Sequence, residues 1–255
     1  EKKKALSSLM FLKEKRDSLV KARMCADGQK QKDGTWSKQE RTTSPTMASE
    51  SVFIAAIINV HKGCDDACFN IPGAFLHVDI DEDIAMVLKG RLAELMVQVV
   101  SNLYRKYITV DRKGTKVRYV KLQKALYGLM RVSLLFYRKL RKDLEGYGLS
   151  VNPYDPCVAN MMTKGGKQVT VVWHVDDLMI SHINNNVIMT FIKAIKAIYG
   201  DNLAESMGTK HTYLGMEFDY SCVGEVKINM RKYIEKIIDE FPEEITSTIK
   251  GHIMA

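Results

Sequence analysis

Apolar residues follow two different periods along this chain, and the sharpest pattern lies at 169–183, VTVVWHVDDLMISHI. A β-branched and aromatic run from Val169 to Val175 meets two adjacent acids, and Leu178-Met179-Ile180 follows at once. Two strand-like runs separated by two residues predict a β-hairpin with Asp176 and Asp177 at its tip. Asp-Asp lacks the glycine that such turns favour, so it is a poor turn and a strong centre of charge. Helical spacing marks four other stretches. Phe53, Ile54, Ile57 and Ile58 set a 3.6-residue period for a helix over Met47–Val60, capped by Ser49 or Ser51 and ended by Gly63. Leu134, Leu135, Tyr137, Leu140 and Leu144 do the same from about Ser133 to Tyr147, where Gly146 and Gly148 stop the helix. Val187, Ile188, Phe191, Ile192, Ile195 and Ile198 predict a helix over Asn186–Tyr199, closed by Gly200. Tyr233, Ile234, Ile237 and Ile238 predict one over Lys232–Phe241, stopped by Pro242.

Shorter patterns fill the rest. The start, Ala5–Arg23, reads as a short helical or irregular segment followed by a strand from Val20, and Gly28–Pro45 reads as a polar loop. A strand runs from Asp66 toward Phe75 and breaks at Pro72-Gly73. Arg91–Leu103 reads as a helix, and Gly114-Thr115 as the turn of a basic hairpin whose second strand is Val117–Leu122. Val158–Thr163 is a strand turned at Gly165-Gly166, and Tyr213–Tyr220 with Val226–Met230 form a further hairpin across Val223-Gly224. Strands joined by short turns, with helices between them, predict an α+β fold: an antiparallel sheet with helices packed on one face.

The chain of 255 residues is 46% hydrophobic, enough for a substantial core, and no apolar run reaches the ~20 residues of a membrane helix. Glu1-Lys2-Lys3-Lys4 is not followed by a signal-peptide core, and no Met begins the chain, so a piece of a larger product is expected. Five scattered cysteines (Cys25, Cys64, Cys68, Cys157, Cys222) argue for free thiols and an intracellular, cytoplasmic setting. Net charge is +8 and unevenly placed: Asn102–Lys142 holds thirteen Lys or Arg against the single acid Asp111. Clustered positive charge points to a polyanion, most simply nucleic acid; a solvated basic surface is the plainer alternative.

Adjacent carboxylates repel, and such a pair commonly needs a cation. Asp176 and Asp177 therefore read either as half of a divalent-metal site or as two exposed acids in an ordinary turn. The acids Asp79, Asp81, Glu82 and Asp83 are spaced somewhat like a calcium loop, but Ile84 and Gly90 stand where that loop needs Gly and Glu, leaving a solvated turn. No phosphate loop, His-Glu zinc motif or nucleophile elbow supports an unrelated phosphotransfer or hydrolytic enzyme.

Six motifs occur in one order: Ile71-Pro72-Gly73-Ala74-Phe75-Leu76-His77, Leu122-Gln123-Lys124-Ala125-Leu126-Tyr127-Gly128-Leu129, Asn152-Pro153-Tyr154-Asp155-Pro156-Cys157, His174-Val175-Asp176-Asp177-Leu178, Tyr213-Leu214-Gly215-Met216-Glu217 and Arg231-Lys232-Tyr233-Ile234. With Lys21-Ala22-Arg23 they cover nearly the whole chain, which resembles the reverse transcriptase of copia-type long-terminal-repeat retrotransposons. The resemblance implies a right-hand polymerase. Residues 1–46 would form the first part of the fingers, 47–95 the first part of the palm, 96–126 the second part of the fingers and 127–222 the rest of the palm, with 223–255 a truncated start of thumb or connection. It implies RNA-directed DNA synthesis from deoxynucleoside triphosphates on a primed RNA or DNA template, with no membrane partner, as part of a polyprotein and, in an active element, inside a virus-like particle.

The resemblance also implies site residues. Two Mg²⁺ ions would be held by Asp176 and Asp177 together with a carboxylate just before the Ile71-Pro72-Gly73 motif. This chain has Asn70 there, a neutral amide that cannot bridge two cations as an anion does. His174 stands where the family has Tyr. Phe75 matches the ring beneath the sugar that rejects a 2′-hydroxyl, Arg23 with Lys21 the cations that meet the triphosphate, and Tyr127-Gly128 the place where nucleotide and template pack. The usual Pro after that glycine is replaced around Val132-Ser133. Arg138, Lys139, Arg141 and Lys142 are candidates for phosphates of template or primer. Two readings follow: a polymerase domain impaired by Asn70, or a non-catalytic nucleic-acid-binding remnant of the same fold.

Overall fold

A computed structural model describes residues 5–14, 18–31, 42–80 and 82–241. Along the chain run β1 (Leu6–Glu14), β2 (Val20–Ala26), α1 (Ser49–Lys62), β3 (Asp65–Asn70), β4 (Ala85–Lys89), α2 (Arg91–Val99), α3 (Ser101–Tyr104), β5 (Thr109–Val110) and β6 (Lys116–Lys121). Then follow α4 (Val132–Tyr147), β7 (Ser150–Val151), β8 (Val158–Met162), β9 (Gln168–His174), β10 (Asp177–His182), α5 (Asn185–Tyr199), β11 (Ala204–Met207), β12 (Lys210–Tyr213), β13 (Met216–Asp219), β14 (Lys227–Asn229) and α6 (Arg231–Asp239). The content is α+β, in three sheets of order β2-β1-β4-β6-β5, β11-β3-β10-β9-β8-β7 and β12-β13-β14. Among the described residues every pairing is antiparallel except β1 with β4.

Side-chain alternation splits the core in two across the six-stranded sheet. Ala67 and Phe69 of β3, Val171 and Trp173 of β9, and Leu178 and Ile180 of β10 face one way, against Phe136 and Leu140 of α4 and Ile188 and Phe191 of α5. Cys68, Val172 and Met179 face the other way, against Val52, Ala55 and Ala56 of α1 and Tyr213 and Phe218 of the three-stranded sheet. The expectation of helices on one face is thus corrected: α4 and α5 cover one face, α1 and a small sheet the other. Strands buried on both sides read as near-continuous apolar runs, which is why β9 and β10 are so plain in sequence.

Helix α1 departs from its expected orientation. Its small residues Val52, Ala55 and Ala56 are buried with Asn59, while Phe53, Ile54, Ile57 and Ile58 are exposed. Small side chains let the helix lie close on the sheet. Its cap is not Ser49 or Ser51: Ala48 N–H and the Ser51 hydroxyl both donate to Asp155, whose other oxygen accepts from Cys157 N–H at 2.8 Å.

Other differences are local. Leu6–Glu14 is strand and not a helical or irregular segment, because β1 finds partners in both β2 and β4. The Arg91–Leu103 helix breaks at Val100 (φ −139°, ψ 74°), next to the β-branched Val99. Gly146 lies inside α4, and Gly148, at φ 111°, is the cap. The expected strand Tyr213–Tyr220 is itself a hairpin end. Leu214 (φ 52°) and Gly215 (φ 77°) form a two-residue turn between β12 and β13, and the positive φ at both marks a type I′ geometry. Asp81, Pro242 and most of the Gly28–Pro45 loop lie outside the described residues. All five cysteines are free. Of the acids expected as a solvated turn, Asp79 and Asp83 are exposed and also ion-paired, with Lys124 at 2.6 Å and Lys121 at 2.9 Å, while the more covered Glu82 pairs with Arg131 at 3.3 Å.

Candidate active site

The site grows from the β9–β10 hairpin. His174 pairs with Asp177, so the two-residue turn is Val175-Asp176, and Asp177 already belongs to β10. This corrects the expectation that both acids form the tip. Val175 carries φ 56°, whereas Asp176 keeps negative φ, the pattern of a type II′ turn that favours Gly at its first position. A β-branched residue held there is strained, at a cost of ~1–3 kcal/mol, and such strain concentrates at functional sites. What fixes the turn is the strand beside it. Asn70 is in register with Asp177 across β3 and β10, and Ile71 N–H donates to the Asp176 carbonyl at 2.9 Å.

The Asn70 amide nitrogen donates to Asp177 Oδ1 at 2.8 Å, with both side chains partly buried. Burial raises the Asp177 carboxyl above its ordinary range, the Asn70 hydrogen bond opposes that rise, Asp176 adds to it and His174 offsets it. The Tyr213 hydroxyl reaches the Asp177 carbonyl at 3.4 Å, tying the small sheet to this strand end. Tyr213 was missed from sequence as a support of the site; its only signal there was its place before Leu214-Gly215.

A second group of residues gathers around Tyr127. After β3, Pro72 and Gly73 (φ 61°) turn the chain into a 3-10 segment, Ala74–His77, that buries Phe75. The Phe75 ring lies 4.6 Å from Tyr127 and 6.1 Å from Phe136, centre to centre, so it belongs to the core and also contacts Tyr127. The Arg23 guanidinium sits 5.4 Å from the Tyr127 ring centre. Burial raises the Tyr127 phenol, the charge of Asp176 raises it further and Arg23 opposes the shift.

Gly128 (φ 91°) has a steric reason to be glycine: a Cβ there would stand 2.0 Å from the Ala26 carbonyl oxygen. At Gly28 a Cβ would stand 2.0 Å from the Gly128 carbonyl oxygen. Two backbones therefore cross in contact, and Ala26 N–H donates to the Tyr127 carbonyl at 2.8 Å. A lone Gly28 in a polar stretch gave no sign of this.

The structure thus brings together Asn70, Asp176, Asp177, Phe75, Tyr127, Gly128 and Arg23. Lys21 is exposed two positions from Arg23 on the same face of β2, without a contact to the cluster. The α4 cations lie elsewhere. Arg138, Arg141 and Lys142 line a separate cleft of ≈ 840 Å³ with Thr43, Ser44 and Tyr137. Lys139 pairs with Asp143 and Arg141 with Glu145, each at 2.8 Å, which leaves Arg138 and Lys142 without an acid partner among the described residues.

The chain matches, over residues 2–252, the model of the family described as reverse transcriptase (RNA-dependent DNA polymerase). It belongs to that family, as a domain of the copia type. Its relatives include the retrovirus-related Pol polyprotein from transposon RE1 of Arabidopsis thaliana, 26% identical over 220 residues that make up 84% of this chain and 13% of the relative. The Pol polyprotein from transposon TNT 1-94 of Nicotiana tabacum is 22% identical over 238 residues, 91% of this chain and 16% of the relative. The chain therefore spans less than a fifth of those polyproteins. Among solved structures it is similar to apo telomerase from Candida tropicalis, with 10% identity and a TM-score of 0.49 over 89% of this chain and 49% of that one. It is also similar to a foamy viral protease-reverse transcriptase in complex with double-stranded DNA, with 10% identity and a TM-score of 0.44 over 93% of this chain and 33% of that one. No helix among the described residues is long and apolar enough to cross a membrane.

The donor set does not fit a pair of divalent ions. It offers two carboxylates and one amide, and that amide turns its N–H, not its oxygen, onto Asp177. Among the described residues no three His, Cys, Asp or Glu side chains stand where they could hold a metal together.

Proposed function

We propose that this chain is the primer–template-holding reverse transcriptase domain of a retrotransposon polyprotein whose DNA synthesis is weak or absent because Asn70 stands in for an acid. The observation that carries the reading is the Asn70–Asp177 hydrogen bond between in-register strands. Position 70 lies within hydrogen-bond reach of Asp177, yet contributes no charge. On this reading the six-stranded sheet with α1, α4 and α5 is the palm, and the β2-β1-β4-β6-β5 sheet belongs to the fingers. Arg23 supplies a bidentate cation for phosphate oxygens of an incoming deoxynucleoside triphosphate. Phe75 and Tyr127 form the wall against its sugar and base. Arg138 and Lys142 take template or primer phosphates.

Two Mg²⁺ ions, as the resemblance implies, would require a third carboxylate at position 70. The test is primer extension on an RNA template by wild type and Asn70→Asp, with primer–template binding measured in parallel. The expected result is salt-sensitive binding by both proteins and at least ~100-fold more extension by Asn70→Asp, as for loss of a group that stabilises transition-state charge. Equal, robust synthesis by both proteins would overturn the impairment. Absence of binding by both would overturn the nucleic-acid reading.

A further inference from the structure

Of the thirteen cations between Asn102 and Lys142, six are paired with acids in the folded chain: Lys116, Lys121, Lys124, Arg131, Lys139 and Arg141. Four of the others gather in one place. Arg105 and Lys106 lie in the 3-10 turn after α3, and Arg112 and Lys113 in the β5–β6 turn; all four are exposed, and none has an acid partner among the described residues. The one acid between them, Asp111, is engaged by its own turn, accepting from Lys113 N–H and Thr115 N–H at 2.9 Å each.

Beneath this patch lies a fifth cation. Arg118 of β6 is 9% exposed, with its guanidinium 4.5 Å from the Tyr104 ring centre and 4.8 Å from that of Tyr107. Among the described residues its Nε finds no hydrogen-bond partner, and its one hydrogen bond there is a long 3.4 Å contact from a terminal nitrogen to the Tyr104 carbonyl. Two ring faces attract this cation but cancel none of its charge. A buried guanidinium without a carboxylate is costly and adds to the positive potential of the surface above it. That surface also carries half-exposed Tyr107 and exposed Val110. Cations interleaved with aromatic and apolar surface suit an unpaired strand, whose phosphates and bases are both accessible; a duplex offers mainly phosphates.

The position is informative too. β5 and β2 are opposite edges of the five-stranded sheet, four strand spacings apart, or roughly 20 Å at ~4.8 Å each. Arg23 lies on β2. The patch therefore stands about six stacked nucleotides from the candidate nucleotide site, at ~3.4 Å of rise per nucleotide.

We infer that Arg105, Lys106, Arg112, Lys113 and Tyr107 form a second nucleic-acid contact that grips the single-stranded template well ahead of the primer end. The inference rests on the primer–template reading above. It is tested by fluorescence anisotropy on the full chain, using duplexes with template overhangs of about three and about twelve nucleotides, a span chosen from the ~3.4 Å rise. The proteins compared are wild type, Arg112→Glu/Lys113→Glu and Arg105→Ala/Lys106→Ala, with unfolding curves to confirm that each variant is folded.

Wild type is expected to bind the long overhang at least ~5-fold more tightly, with a steeper salt dependence, by ~0.7 for each added phosphate contact. Both variants lose that gain and keep wild-type affinity for the short overhang. A wild type indifferent to overhang length, or folded variants that retain the full gain, would overturn the inference while leaving primer–template binding intact. A wild type that binds neither duplex would remove the reading beneath it as well.

Discussion

Asn70 and Asp66 sit on the same strand, β3, and position alone sets one against an acid at the strand end and the other against the Asn59 amide of α1. Asp66 is almost fully buried, accepts from the Asn59 amide at 2.6 Å and is pushed by burial, with help from Asp65, to a pKa of about 7. Its folded pKa lies above its unfolded value, so the folded state holds a proton that the unfolded state releases. Stability on this account is greatest below about pH 4, falls between pH 4 and 7 and levels off above, at a cost of up to ~4 kcal/mol from three pKa units. Asp66→Asn should match wild type in urea unfolding near pH 4 and exceed it at pH 8. The Asn70 substitution was legible from sequence because a motif fixed its position. The burial of Asp66 was not, because nothing local marks which face of a strand a helix will cover.

At the scale of elements, legibility followed the strength of periodicity. Helices α4 and α5 bury one continuous stripe and came out within a residue or two of their expected bounds. Helix α1 misled because its largest apolar residues are not its buried ones: the sheet receives Val52, Ala55 and Ala56, and close approach favoured small side chains over greasy ones. Strand β1 misled because pairing makes it a strand, with β2 next in sequence and with the distant β4, and no local apolar period marks it. Asp155 shows a motif whose first meaning is architectural. It accepts from Ala48, Ser51 and Cys157, joining the start of α1 to the loop before β8. Asp155→Ala removes the acceptor of three donors, of which the Cys157 N–H is buried, and should cost about 2 kcal/mol, with hydrogen exchange rising first across α1. A loss below ~0.5 kcal/mol, the scale of an ordinary surface substitution, would show that Asp155 is not the cap described.

For the molecule as a whole, net charge proved less telling than its distribution after folding. The basic stretch looked uniform in sequence, yet acids from the preceding and neighbouring segments neutralise about half of it and leave discrete patches. Only folding shows which cations remain. The same holds for the site. The order of motifs named candidate residues, but not that the hairpin turn is Val175-Asp176, that two backbones cross at Gly28 and Gly128, or that Asn70 offers its N–H to Asp177. These features come from partners far apart in the chain. On the function proposed above they combine into one physical statement: the β9–β10 turn and the start of β10 present two carboxylates, and β3 adds a neutral amide where two cations would need a third charge.

Direct titration of Mn²⁺, followed by calorimetry or by loss of the free-ion paramagnetic signal, tests that statement without relying on turnover. Wild type should take up at most one ion weakly, and Asn70→Asp should bind two, the tighter at least ~10-fold better, an increment of ~1.4 kcal/mol. Two ions bound equally well by both proteins would contradict the account.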